Sequence, residues 1–325
     1  MKIGVFLPTF LLPGSRADGL RRFARHAEEL GFASLFATDH LLTARRFYRV
    51  SWLEPVTTLA HVAAVTSAPL LGTSVLVLPT RHPVVLAKEL ATLQHLSGGR
   101  YVFGVGTGWF EPEFASVGAR RSERGRRTDE VLDAALALLR EGDASFAGRH
   151  YSFDGITIEP LGAVPPVWTA GGRQLGHAAS PEQPVMAPGV LRRICRSDGW
   201  IARPTATPAQ IVEDLAEIDA ELGRLGTSRA ERGFTVAHEN FCFVVERGSR
   251  SDVAARQEHA MRRVVSDERP WDYVEAVYLT GTIDELQQRV QERVDAGVEH
   301  LILHTLTPDL EQLDLFAKHF LGPFA

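Results

Sequence analysis

Eight short apolar runs recur along the chain, and each is followed by a stretch with helical spacing. IGVFLP at 3–8, SLFATDH at 34–40, LLGTSVLVLP at 70–79, YVFGVGTG at 101–108 and HLILHTL at 300–306 are among them, and most are continuous rather than alternating. Continuous apolar strands belong to a sheet buried on both faces, and alternation of strands with helices makes such a sheet parallel. The first intervening stretch, 17–31, places Leu20, Phe23, Ala24, Ala27 and Leu30 on one helical face and stops at Gly31. An open doubly wound sheet and a closed barrel both fit alternation of this type. Eight units favour the barrel, so the expected architecture is α/β, a (β/α)8 TIM barrel.

Three interruptions break the rhythm. ASFAGRHYSFDGITIEP at 144–160 alternates apolar and polar residues around Gly148 and Gly155, as a hairpin outside the main repeat would. The stretch 173–189 is an insertion after strand 5, and irregular sequence around RPWDYVEAVYLTG precedes strand 8. The whole of 1–325 reads as one domain.

Composition narrows the partners. The net charge of −5 and scattered basic residues, apart from RRSERGRR at 120–127, disfavour nucleic acid. No stretch of about 18 apolar residues exists to cross a membrane. The N-terminus runs straight into a strand, and the two cysteines, Cys195 and Cys242, form no disulfide framework or metal spacing. A cytoplasmic setting is expected.

In a barrel the chemistry sits where the strands end. Asp39-His40 closes the second run and is the sharpest pair: an imidazole that can move a proton, next to a carboxylate. Neighbours in a strand point opposite ways, so the two need not touch. Gly104, Gly106 and Gly108 alternate, which would leave one face of the fourth strand bare for something broad, with Trp109 as a wall and two glutamates following. Close packing inside the barrel is the alternative. TAGGR at 169–173 offers backbone N–H groups, with Arg173 and Arg203 as candidate partners for a phosphate. A simple turn fits the same residues.

IGVFLP, LGFASLFATDH, GTSVLVLPTRHPVVLAKELATLQHLSGGRYVFGVGTGWFEPEF, PPVWTAGG, DGW and AGVEHLILHT together resemble the bacterial luciferase-like family of flavin-dependent oxidoreductases over nearly the whole chain. The resemblance implies a TIM barrel holding either reduced FMN, used with O2 and supplied by a flavin reductase, or the deazaflavin coenzyme F420 as a hydride carrier. It places Asp39 and His40 at the ring and substrate, with His40 handling a proton. It makes Ser74-Val75 the bulge under the ring, often a non-prolyl cis peptide, with Gly106, Thr107 and Gly108 bordering the cofactor. Gly171 and Gly172 match its phosphate-binding turn, and a homodimer through helices 54–66 and 83–97 is common in the family. Two departures stand out: the stretch 173–189 is longer than usual, and Trp109 stands where sugar-dehydrogenating deazaflavin members carry a glutamate. The expected activity is therefore an FMN- and O2-dependent monooxygenase acting on a small organic substrate. An F420-dependent hydride transferase is the alternative, and a non-catalytic flavin-binding barrel the third reading.

Overall fold

A computed structural model of the chain describes residues 1–10, 17–141, 143–176 and 182–324. Its eight barrel strands are β1 (Lys2–Phe6), β2 (Ser34–Ala37), β3 (Leu70–Thr73), β4 (Tyr101–Gly106), β5 (Val167–Gly171), β6 (Gly199–Ala202), β7 (Thr235–Phe241) and β8 (His300–His304). Every neighbouring pair is parallel, and β1 pairs with β8 through Lys2↔His300 to Val5↔Leu303, so the barrel closes. The expected hairpin is present as Asp143–Ala147 against Ser152–Thr157, antiparallel and outside the barrel.

The strands are apolar on both faces because each face meets a different core. Phe6, Phe36, Val102, Trp168, Ile201 and Ile302 fill the interior. Val5, Leu35, Leu71, Phe103 and Leu303 face outward onto Phe23 of α1 (Ala17–Leu30), Leu59 of α2 (Pro55–Ala63) and Leu86 and Leu90 of α3 (Pro83–Leu96). Helix starts are locally encoded. Glu54 accepts hydrogen bonds from Val56 N and Thr57 N ahead of α2, and Thr207 with Gln210 forms a capping box ahead of helix Pro208–Arg224.

Two runs expected as single strands are shorter in the fold. The run 70–79 breaks after Thr73 and resumes as Leu76–Val77, which pairs again with β4. The run 101–108 ends at Gly106, and Gly108 has left the strand with φ +67°, a left-handed conformation that glycine adopts freely. Three glycines sharing one strand face is therefore corrected to two. No described helix is long and apolar enough to cross a membrane, and no described group of histidine, cysteine and acidic residues could hold a metal ion.

Candidate active site

The break in β3 explains the glycines of β4. Ser74-Val75 is joined by a cis peptide bond, and the bulge it forms leans onto β4. A methyl group on Gly104 would lie 1.7 Å from the Thr73 carbonyl oxygen, and one on Gly106 would lie 2.3 Å from Val75 Cγ2. What approaches the bare backbone is thus the neighbouring strand of the protein itself. The open face expected along 104–108 for a foreign ring is corrected accordingly. Thr73 Oγ1 also donates to the Gly104 carbonyl at 2.9 Å, fastening the two strands.

Asp39 holds the far side of this bulge. Its Oδ2 accepts from Val77 N at 2.9 Å and from Arg81 Nη2 at 3.0 Å, and Arg81 reaches on to Glu54 at 3.1 Å. Burial pushes the Asp39 carboxyl above its ordinary range, and the Arg81 guanidinium opposes this. Among the described residues no hydrogen bond joins Asp39 to His40. Asp39→Ala leaves the Val77 amide without its acceptor and the half-buried Arg81 with only Glu54 and Glu89 among the described residues, and it is expected to cost about 1–3 kcal/mol in urea denaturation. Asp39→Asn, which keeps an acceptor for Val77 N, is expected to cost less.

His40 faces the other way and finds its carboxylate on a different element. Its Nδ1 lies 3.0 Å from Oε1 of Glu113, on α4 (Glu111–Ser116), and the same oxygen accepts from Leu42 N at 3.2 Å. The two side chains are only 8% and 2% exposed. Around the imidazole stand Trp52, Tyr48 and Trp109, with ring centroids at 5.0, 5.5 and 5.6 Å. A carboxylate accepting from Nδ1–H fixes the tautomer and leaves the lone pair on Nε2, a geometry that suits a histidine for proton transfer. The two histidines of β8, His300 and His304, are buried instead: burial pushes them down to about 3 and about 4, so they stay neutral, and His304 stacks on Phe6 at 4.2 Å.

Glu113 was within the glycine-rich stretch that drew attention in the sequence. Nothing in its spacing connects it to a histidine 73 residues earlier. The connection exists because β2 and β4 end on the same rim, and α4 begins within that rim.

The turn after β5 is built differently from its expectation. Arg173, anticipated as a phosphate ligand, has its guanidinium engaged by Glu213 at 3.0 Å, Asp214 at 2.5 Å and Glu217 at 2.5 Å. Three acids from helix Pro208–Arg224 compensate its charge, so it anchors the turn instead. Arg203 has no carboxylate partner among the described residues and donates to the Gly172 carbonyl at 2.7 Å, to Gln174 and to Gln183. Gly171, Gly172 and Arg203 therefore share one rim position. Thr107 is half-buried between β4 and Trp109. Part of the insertion at 173–189, residues 177–181, lies outside the described residues.

Two further polar atoms at the barrel mouth have no hydrogen-bond partner although buried: Ser74 Oγ on the bulge and Glu239 Oε2 on β7. Burial pushes the Glu239 carboxyl up to about 7, with a smaller opposing contribution from Ser74. A hydroxyl and a carboxyl that interact at most with each other, and have hydrogen-bonding capacity to spare beside a shaped backbone, fit the edge of a ring carrying carbonyl and N–H groups, as FMN and F420 both do. Glu239 is not among the residues expected for the site; the signal that marks it is an acid toward the C-terminal end of a buried strand.

The elevated value carries a pH consequence. Unfolded, this glutamate titrates near 4.5, and folded at about 7. Between these the native state binds more protons, so the Glu239 contribution is present at low pH and is lost as pH rises through that window. Glu239→Gln is expected to gain stability relative to wild type between about pH 5 and about pH 8, read as diverging urea midpoints.

Surface cavities of about 220 and 310 Å³ lie elsewhere, one beside Gly98 and Gly99 and one against helix Arg250–Val264. Neither is lined by His40 or by its aromatic neighbours.

A parallel eight-stranded barrel with polar groups gathered at the strand C-termini, a cis bulge in β3 and a histidine–carboxylate pair at the rim defines the class. Residues 1–300 match the family model for the luciferase-like monooxygenases, and the chain belongs to that family of enzymes. Its relatives and structural neighbours include FMNH2-dependent and F420-dependent enzymes.

Particular relatives are more distant. An uncharacterised protein of Mycobacterium tuberculosis is 31% identical over 215 residues, 59% of this chain and 71% of that protein. An FMNH2-dependent dimethylsulfone monooxygenase of Pseudomonas putida is 29% identical over 149 residues, covering 44% of this chain and 39% of that enzyme. Among solved structures, the monooxygenase RslO1 from Streptomyces bottropensis superimposes with a TM-score of 0.79 at 22% identity over 100% of both chains. An F420-dependent secondary alcohol dehydrogenase in complex with an F420-acetone adduct also gives 0.79, at 16% identity, over 99% of this chain and 98% of that one. At those identities the structural likeness speaks to the fold alone.

Proposed function

We propose that the protein is the oxygenating component of a two-component system, a monooxygenase that takes reduced FMN from a separate flavin reductase and acts on a small organic substrate. The observation that carries this reading is the His40–Glu113 pair, buried under Trp52, Tyr48 and Trp109 at the strand C-termini. When bound, the reduced flavin supplies two electrons to O2, so that one oxygen atom enters the substrate and the other leaves as water.

The chain's own residues position and protect this chemistry. Ser74 and Val75 form the surface under the ring, bordered by Gly106, Thr107 and Gly108. Gly171, Gly172 and Arg203 take the phosphate end, with Arg173 holding their turn. His40 holds or accepts a proton at Nε2, and Glu113 fixes the tautomer and compensates the charge that develops. Trp52 and Tyr48 limit water around the imidazole, with Trp109, 40% exposed, at the solvent edge of this wall. Asp39 is a positioning residue that keeps the bulge in place through Val77 N and Arg81. A homodimer through α2 and α3 is part of the proposal, and sedimentation velocity tests it.

The alternative is an F420-dependent hydride transferase, with which the same His40–Glu113 pair is compatible, while Trp109, standing where the sugar-oxidising members carry an acid, counts against that branch. Rapid mixing separates the two. Protein loaded anaerobically with reduced FMN, then mixed with O2, is expected to reoxidise its flavin in a phase slower than free flavin. A trace identical to that of free flavin contradicts the monooxygenase reading.

A further inference from the structure

Arg269 stands just ahead of helix Trp271–Val277, in the irregular segment before β8, and is only 9% exposed. Its guanidinium lies over the Tyr48 ring at 5.0 Å, and its Nη2 donates to the Tyr48 hydroxyl at 3.3 Å. Nε and Nη1 are buried with no hydrogen-bond partner. No carboxylate lies within ion-pair distance among the described residues, because the adjacent Glu268 turns to Arg46 and Asp267 to Arg49 and Arg262.

An unpaired buried guanidinium is costly, since its hydration is lost and nothing replaces it. Buried Arg173 and Arg193 avoid this by pairing with acids. Arg293 also lacks an acid, but its Nη1 donates to a carbonyl of its own helix, and burial pulls it down to about 10. Arg269 stays charged, as a guanidinium does, and its one polar partner among the described residues is the neutral Tyr48 hydroxyl.

The second observation is Trp52, whose Nε1 is another buried donor without a partner. Its ring lies 4.7 Å from Tyr48 and 5.0 Å from His40. Three unpaired donor atoms on Arg269 and Trp52 thus flank Tyr48, itself 5.5 Å from His40, in a cluster whose other members are apolar or aromatic. The unsatisfied atoms on these two side chains are donors only, which selects for an acceptor-rich, negatively charged group.

We infer that the substrate is a small aromatic or otherwise apolar molecule carrying one anionic oxygen group, a carboxylate or enolate, which Arg269 and Trp52 receive beside His40. The inference rests on the proposed function for the role of His40, and it assigns Arg269 to the substrate rather than to the cofactor phosphate.

The test uses the full-length protein, titrated by calorimetry and tryptophan fluorescence with benzoate, with benzamide as its neutral isostere, and separately with reduced FMN. Benzoate is expected to bind about tenfold to a hundredfold tighter than benzamide. Arg269→Gln is expected to abolish that preference while leaving reduced-FMN affinity unchanged. Equal binding of the two probes, no benzoate binding, a preference that survives in Arg269→Gln, or a loss of FMN rather than benzoate affinity in that variant overturns the inference. If Arg269→Gln does not fold, Trp52→Phe serves, with a lowered benzoate-to-benzamide ratio expected and an unchanged ratio contradicting the assignment. Benzoate binding as predicted, with neither FMN nor F420 bound, would defeat the proposed function and not this inference.

Discussion

Replacing His40 with alanine is expected to lower turnover by about 100- to 10,000-fold, with flavin affinity close to wild type and a lowered thermal midpoint, because the buried Glu113 carboxylate keeps only Leu42 N as a partner among the described residues. The size follows from the role: a positioned proton-transfer group is lost, while the walls that bind and exclude water remain. Glu113 touches the reaction only through His40, so Glu113→Gln is expected to show a smaller loss, and the double variant no more than His40→Ala alone. Comparing kcat of the three variants, alongside circular dichroism to confirm folding, checks this. Losses that multiply in the double variant would show that Glu113 acts independently of the imidazole. Unchanged turnover in His40→Ala would remove the histidine from the mechanism, and a barrel that binds flavin yet lacks turnover in every form would revive the non-catalytic reading.

The largest expected effect on stability is at Gly104. Its missing side chain makes room for the Thr73 carbonyl, and a methyl group there would meet that oxygen at 1.7 Å and the carbonyl carbon at 2.8 Å. Both atoms are backbone, held by the pairing of β3 and of Leu76–Val77 with β4. Relief therefore requires moving a strand. Gly104→Ala is expected to cost more than about 4 kcal/mol or to prevent folding. At Gly106 the obstacle is the end of the Val75 side chain, which can turn, and Gly106→Ala is expected to cost about 1–3 kcal/mol. Gly125, within helix Arg124–Glu141 and with nothing near its Cβ position, supplies the control. Gly125→Ala is expected to stabilise by roughly 0.5–1 kcal/mol. Urea denaturation of the three variants ranks them, and a Gly104→Ala protein as stable as Gly125→Ala would contradict the packing of the bulge onto β4.

The barrel was legible because its strands are buried on both faces, so the apolar pattern of β1, β3, β4 and β8 carries the layer arrangement directly. The outer hairpin was legible for the opposite reason, since its alternation marks one solvated face. The site was legible in its positions and only partly in its connections. His40 and Ser74-Val75 lie at strand ends, as barrel geometry and the family resemblance imply. The partners Glu113 of His40, Arg81 of Asp39 and the three acids of Arg173 are set by which strands share a rim, and no short-range spacing encodes that. The glycines of β4 illustrate the same limit. A missing side chain signals a close approach, yet the approaching group, here the Thr73 carbonyl, is known only once β3 is seen to break.

Equilibrium titration of the metal-free, cofactor-free protein with reduced FMN, oxidised FMN and F420, followed by tryptophan fluorescence, tests the central claim most directly. The account predicts selective, saturable binding of reduced FMN, quenching Trp109 and Trp52, and weakened by substitution of Arg203 but not by Glu213→Gln on the turn's outer side. Tight F420 binding with no response to reduced FMN would contradict the monooxygenase assignment, and the absence of binding by all three would contradict a flavin site at this rim.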